Sequence, residues 1–151
     1  MHAPKQPDLV QRHLMSLQWH ICASPEYLKK HGVPQRAEDL DAHRLILFGN
    51  HHPPVPEINW LAEAGRRPGN PRRALLEVNS IHAILLAIRS GTGIGALPDF
   101  SVTENPDLVQ VLPELKGPKV DVFFVYPEEL RNSKRVAVFR DFLLARLAER
   151  H

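Results

Sequence analysis

The chain has 151 residues, of which 43% are hydrophobic and 24% charged, a balance that fits one globular domain and excludes a disordered or coiled-coil chain. No apolar run approaches the roughly 20 residues that a membrane-spanning helix needs, and residues 1–10 have no signal-peptide core, so a cytoplasmic location is expected. One cysteine, Cys22, excludes an intramolecular disulfide and any multi-cysteine zinc site, and a net charge of +2 is far below that of a typical nucleic-acid binder.

Fourteen prolines punctuate the chain into many short elements. Leu9 to Met15 reads as a short extended segment and Gln18 to Ser24 as a strand, with Trp19, Ile21 and Ala23 on one face. Ser24-Pro25-Glu26 has the grammar of an N-cap followed by proline in the first turn, so a helix of about two turns is expected, stopped by Gly32. Arg36 to Ala42 reads as a helical turn, and Leu45 to Phe48, bounded by Gly49-Asn50, as a buried strand. A proline loop from Asn50 to Pro56 precedes a short edge strand at Ile58 to Leu61. A second loop, Gly65 to Pro71, leads to a strand at Ala74 to Val78.

The clearest element is a helix from Ser80 to Ser90, where Ile81, Ile84, Leu85 and Ile88 recur at helical spacing. Its flanks are apolar as well, so most of its surface is expected to be buried. Ile94 to Leu97 follows as a strand, and Pro98 opens another helical turn. Leu108 to Leu112 and Val120 to Tyr126 are further strands, and Lys134 to Ala148 is the last helix, with a stripe of Val136, Phe139, Leu143 and Leu147. Strands alternating with helices make the fold class α/β.

Several residue groups invite chemistry. Gly91-Thr-Gly-Ile-Gly95 follows a helix and precedes a strand, the reverse of a dinucleotide loop, so it reads as a helix end and tight turn. His20 and Cys22 lie about 6.6 Å apart along one strand, which makes a nucleophile–base hydrogen bond awkward, and Cys22 reads as a small buried hydrophobe. His51, His52 and His43 lack ligand spacing, so no metal site is assigned. Arg66, Arg67, Arg72 and Arg73 lack interleaved aromatics and read as a solvated charged turn. No pair of carboxylates forms an acid–base motif, so no catalytic residue and no cofactor is assigned.

Val78-Asn79-Ser80 points to binding. It sets two small polar side chains and free backbone N–H groups where a strand becomes a helix, a place where open α/β sheets bind ligands and where a carboxylate is favoured. Asn79 and Ser80 could equally serve only as helix caps. Phe48-Gly49-Asn50, at the end of another strand, is a second such wall.

The order of motifs resembles the effector-binding domain of LysR-type transcriptional regulators. The residues that carry the resemblance are Pro7 to Arg12, Ile21 to Leu28, Glu38 to Leu40 with His43, Val78-Asn79-Ser80, Ser90 to Pro98, Leu108 to Leu112, Val125-Tyr126-Pro127 and Phe139 to Leu143. The resemblance implies a type 2 periplasmic-binding-protein-like fold, with one complete lobe and its crossing strands at about 18–126. Residues 1–17 and 127–151 would be a remnant of the second lobe, and the winged helix-turn-helix of the family has no counterpart here.

It further implies that Asn79 and Ser80 line the effector site, with Phe48, Gly49, Ile94, His20 and Ser24 as further candidates. The expected partner is a small-molecule effector, a carboxylate being one suitable class. DNA would be reached only through an N-terminal domain outside these residues, and a homodimer or higher oligomer is expected, with no membrane partner. The rival readings are a solute-binding protein of the same architecture and, less favoured, an enzyme using His20, Cys22 or His52.

Overall fold

The structure, a computed structural model, describes residues 8–49 and 56–149. Expectations placed on residues 1–7 and 50–55, including His51 and His52, lie outside the described residues. The chain divides into two compact units, Gln18–Lys119 and, separately, Met1–Leu17 with Val120–His151.

In the first unit the elements are β1 (Leu9–Ala23, of which Gln18 onward lies here), α1 (Pro25–His31), a 3₁₀ turn at Ala37–Ala42, and β2 (Leu45–Phe48). Two 3₁₀ turns across Pro56–Ala62 follow, then β3 (Leu76–Val78), α2 (Ile81–Arg89), β4 (Ile94–Pro98), α3 (Asp99–Thr103) and β5 (Val109–Gln110). The strand order is β3-β2-β4-β1-β5. β2 runs parallel to both β3 and β4, whereas β1 is antiparallel to β4 and β5.

All four residues of β2 are buried, as a parallel strand covered on both faces requires. Ile46 lies opposite Gly95, whose missing side chain lets Ile84 and Ile88 of α2 press onto β4; a Cβ there would meet both at 3.0 Å. Leu47 points to the other face, towards Asn59 and Trp60. Trp19, Ile21, Cys22 and Ala23 of β1 are buried on both faces too.

The expected helix starts and stops follow from local chemistry. Ser24 Oγ accepts from the Tyr27 N–H and caps α1, and Gly32 ends it with φ of +83°. Ser80 Oγ accepts from the Ala83 N–H and caps α2, and Gly91, with φ of +73°, turns the chain after it. Gly91 therefore makes the helix end and turn, whereas Gly95 lies within β4.

Five expectations need correction. Leu9 to Met15 and Gln18 to Ser24 are one strand, because nothing between them breaks the extended backbone. Ile58 to Leu61 is not an edge strand but part of the 3₁₀ turns at Pro56–Ala62, kinked at Asn59 (φ −95°, ψ 21°). The reason lies in β2. Arg44 accepts from the Ile94 N–H, so the backbone groups of residues 44, 46 and 48 face β4. The register then hands the next donor position, opposite the Phe48 carbonyl, to Pro98, which has no N–H. Asn59 takes that place with its side-chain amide: Nδ2 donates to the Phe48 carbonyl at 2.7 Å, and Oδ1 also accepts from the Phe48 N–H at 2.9 Å.

The third correction concerns α2, of which only Ile84 and Ile88 are buried; Leu86 is 52% exposed. Its width of apolar residues exceeds the surface that β2 and β4 offer. The fourth concerns Arg72, which is buried rather than solvated. Its guanidinium donates to Asp41, to the Ala64 carbonyl and to the Ala37 carbonyl, pinning the Gly65–Pro71 loop to the 3₁₀ turn at 37–42. The strand expected at Leu108 to Leu112 shrinks to Val109–Gln110, since Leu112 takes a positive φ of 50° that ends extended geometry.

The second unit holds the start of β1, β6 (Lys119–Pro127, of which Val120 onward lies here), a 3₁₀ turn at Glu128–Leu130 and α4 (Lys134–Ala148). β6 pairs with β1, and Asp121 accepts from Ser16 Oγ at 2.5 Å with His13 3.3 Å away. Phe139 of α4 packs against Phe124 of β6, with ring centroids 5.9 Å apart. No residue of α4 is buried, and Val138, Phe139 and Phe142 are more than half exposed. Among the described residues no helix is long and apolar enough to cross a membrane.

Candidate functional site

The parallel strands β3, β2 and β4 end on one edge of the first unit's sheet, and the chain leaves that edge into α2 from β3 and into α3 from β4. Phe48 lies opposite Val78, and the Gly49 N–H donates to the Val78 carbonyl at 2.9 Å. This places Phe48 and Gly49 directly beside Asn79 and Ser80. The approach is close: a Cβ on Gly49 would lie 2.5 Å from Glu77 Cβ, so the position is open only to glycine as the backbone stands.

Asn79, Ser80 and Gly49 are exposed, whereas Phe48 is 6% exposed. The Ser80 hydroxyl oxygen is occupied as the helix cap, yet one lone pair and its proton remain, and α2 presents its first-turn N–H groups beside it. A nine-residue helix starting here carries partial positive charge towards this edge.

His20 belongs to the same edge, two strands away. It lies opposite Leu97, and continuing the β2–β4 register brings Leu97 level with Phe48. Its ring is fully engaged. Nε2 sits 2.7 Å from Asp99 Oδ1, and Gln110 Nε2 donates to Nδ1 at 3.0 Å. The second oxygen of Asp99 accepts from the Gln18 N–H at 2.9 Å. Neutral His20 thus carries its proton on Nε2, and the ring offers a ligand its face rather than its nitrogens. Asp99 keeps 39% of its side chain exposed and is one negative charge of this edge; Glu77, whose carboxylate reaches beside Gly49, is another.

Ile94 and Ser24 lie elsewhere. Ile94 is the first residue of β4, opposite Leu45 and fully buried, about 13 Å along the strand from Pro98. Ser24 is 5% exposed, its oxygen capping α1 and lying 3.7 Å from where a Cβ on Gly91 would be. Both belong to the opposite edge. The structure therefore brings Phe48, Gly49, Asn79 and Ser80 together, sets His20 along the same edge, and leaves Ile94 and Ser24 apart from them.

Two hollows flank this edge. A cavity of about 290 Å³ between α2 and α3 starts at Ile81, the residue after Ser80, and is lined by His82, Leu85, Phe100, Ser101 and Asn105 among others. A larger one of about 940 Å³ involves Leu47, Asn59, Trp60, Arg73 and Glu77. Leu47 and Glu77 alternate with Phe48 and Val78, so that cavity opens on the other face of the sheet.

The nucleophile reading of Cys22 finds no chemical support. Burial pushes its thiol up to about 12, so it stays protonated at neutral pH, and its sulfur faces the backbone carbonyl of His20 at 3.8 Å. Asp99, Gln110 and Asn59 were missed as neighbours of the site. Asp99 was the most accessible of the three to sequence reasoning, since it follows Pro98 at a helix start. Asn59 and Gln110 are brought in by packing between distant segments and carry no local signal.

Comparison with known proteins places this architecture. The family model of the LysR substrate-binding domain matches residues 1–148. An HTH-type transcriptional regulator of Haemophilus influenzae is 33% identical over 80% of this chain and 42% of its own length. The HTH-type transcriptional regulator CrgA of Neisseria meningitidis is 33% identical over 90% of this chain and 46% of its own. The chain spans about half the length of the curated relatives it matches.

The solved regulatory domain of CrgA superposes with a TM-score of 0.80 at 29% identity, covering 97% of this chain and 72% of that one. The regulatory domain of AphB from Vibrio vulnificus gives 0.72 at 27% identity, covering 93% and 71%. The fold is the periplasmic-binding-protein-like α/β fold of these regulatory domains. With the family match running through nearly every residue and the solved relatives following the same path, the chain belongs to the LysR substrate-binding domain family.

Proposed function

We propose that this chain is the effector-sensing part of a LysR-type transcriptional regulator and carries no catalytic activity of its own. The observation that carries the reading is the family match over residues 1–148, joined to relatives that are HTH-type transcriptional regulators. In the proposed mechanism a small molecule binds at the edge formed by Phe48, Gly49, Asn79 and Ser80, with His20 and Asp99 beside it. It shifts the regulator between two states by its differential affinity for them, and DNA is contacted by a part of the regulator outside these residues.

The chemistry of the edge favours an effector with a carboxylate or similar anionic group. That group would meet the start of α2, where Ser80 can donate its hydroxyl proton and the first-turn amides point outward. Asp99 would select against a second negative charge on the side nearest His20. A cytoplasmic site of action and a homodimeric or higher-oligomeric regulator complete the reading.

Thermal unfolding with pooled small organic acids tests the binding claim. Ligand at 100 times its dissociation constant should stabilise the fold by about 2.7 kcal/mol, enough to shift the transition visibly. A pool that moves the wild type but not Ser80→Trp supports the site. A cooperative transition that no pool moves argues against an effector site within this chain.

A further inference from the structure

At the edge of the first unit opposite the proposed site, Tyr27 joins two histidines in a hydrogen-bonded cluster, stacked on His31 and tilted 49° from the ring of His43. Tyr27 of α1 is fully buried. Its hydroxyl accepts the Arg44 N–H at 3.0 Å at the entry to β2 and lies 3.1 Å from Nδ1 of His43. With one lone pair taken by Arg44, the phenol proton is given to Nδ1, so neutral His43 accepts there and carries its own proton on Nε2. His31 stacks on the Tyr27 ring, centroids 4.3 Å apart and planes 13° from parallel, and its Nδ1–H donates to the Tyr27 carbonyl at 3.1 Å.

This cluster is the tie between α1 and the sheet. The Arg44 N–H is held by Tyr27, and the Arg44 carbonyl accepts from the Ile94 N–H at the start of β4. One buried hydroxyl thus links α1, β2 and β4. The charged and titratable groups that face His43 are few: His31 from α1, Asp39 from its own 3₁₀ turn, and Arg44 next in the chain. Tyr27 faces it as the hydrogen-bond donor. Asp39 is already engaged by the Gln35 and Arg36 backbone N–H groups and by the Arg36 guanidinium.

We propose that the His31–Tyr27–His43 cluster is a proton-operated latch, closed while His43 is neutral and released when it takes a second proton. The proton would land on Nδ1, the atom that the phenol donates to. Donor would then face donor, and the Tyr27 hydroxyl proton, buried away from water, would lose its acceptor. A charge on His31 adds repulsion across the same ring. Burial and His31 hold His43 below the ordinary histidine range, with Asp39 pulling weakly the other way. Because its folded value is depressed, the unfolded chain binds the proton more readily, and stability is lost as pH falls below about 6.5.

Hydrogen exchange of the whole chain between pH 7.5 and 5.5, corrected for intrinsic rates, reads the latch directly. Protection of residues 25–44 should fall on acidification, by at most about tenfold for a single histidine, with β3 unaffected. His43→Asn keeps an acceptor near the Nδ1 position and cannot be charged, so it should abolish the pH dependence. An equal fall in wild type and variant would overturn the proposal. An NMR titration of the wild type decides independently of whether the variant folds. A His43 midpoint below the ordinary 6.5, rising when His31 is replaced by Asn, is expected; a midpoint at or above that value would defeat the latch.

Discussion

The side-chain amide of Asn59 takes both backbone hydrogen-bonding groups of Phe48, standing where the neighbouring strand has run out of donors at Pro98. Replacing Asn59 by Leu would strand a buried N–H and a buried carbonyl together. The expected loss is about 2–3 kcal/mol, with one unsatisfied group costing roughly 1–3 kcal/mol. Urea unfolding measures it, and Asn59→Asp, which keeps the acceptor but loses the donor, should fall between the two. A loss of less than half a kilocalorie for Leu would show that water replaces the amide.

Arg72 and Asp41 form the second prediction. Arg72→Ala removes a buried guanidinium with three partners and leaves the Ala37 and Ala64 carbonyls without their donor, so a loss of about 3 kcal/mol is expected. Arg72→Lys should recover little, because an ammonium cannot span the same fork. Hydrogen bonds from Arg66 and Arg72 hold the Asp41 carboxyl below its usual range. Its stabilising contribution is therefore complete above about pH 3.8 and lost as pH falls through the folded value. Urea midpoints at pH 7 and pH 3 should differ less in Arg72→Met than in the wild type.

Ser80 permits a separation of cap from site. Ser80→Ala removes the α2 cap and should cost about 1 kcal/mol. Ser80→Asp preserves a capping oxygen but adds a negative charge at the helix start. Its stability should stay close to wild type, while affinity for an anionic effector falls by an order of magnitude or more, about 1.4 kcal/mol per tenfold. Calorimetry that finds unchanged affinity in Ser80→Asp would remove Ser80 from the proposed site.

Cys22 supplies the fourth prediction. With its thiol raised from 9.0 to about 12 by burial, its thiolate population at pH 8 is about a thousandfold lower than that of a free thiol. Alkylation should therefore be negligible in the native protein and appear together with unfolding in denaturant. Rapid labelling of the folded chain would mean that β1 opens readily.

Much of the fold is legible where a local signal decides it. Ser24-Pro25 and Gly32 mark α1, the four apolar residues of β2 mark a strand buried on both faces, and the Lys134–Ala148 helix follows its periodicity to both ends. Ile58 to Leu61 misleads because alternating apolar residues suit a strand, whereas a vacancy opposite the Phe48 carbonyl, left by Pro98 fifty residues downstream of it, draws in Asn59. Arg72 misleads for a related reason. Its partners come from residues 37, 41 and 64, so its burial is written in tertiary packing and not in the arginine-rich loop. The edge holding Phe48, Gly49, Asn79 and Ser80 was readable because each pair ends a strand. Ile94 was readable as the first residue of β4, but only the parallel register that sets it opposite Leu45 places it at the far edge.

The pairing of β1 with β4 also bears on how this protein is made. Trp19 meets Pro98 and Cys22 meets Gly95, so the buried residues of β1 await partners synthesised some seventy to eighty residues later. β2 and β3 can associate sooner, but β4 is the strand that joins them to β1. A ribosome-bound chain that has not yet delivered Ile94–Pro98 therefore exposes a run of Trp19, Ile21, Cys22 and Ala23 with unpaired backbone, the segment on which a chaperone would act first.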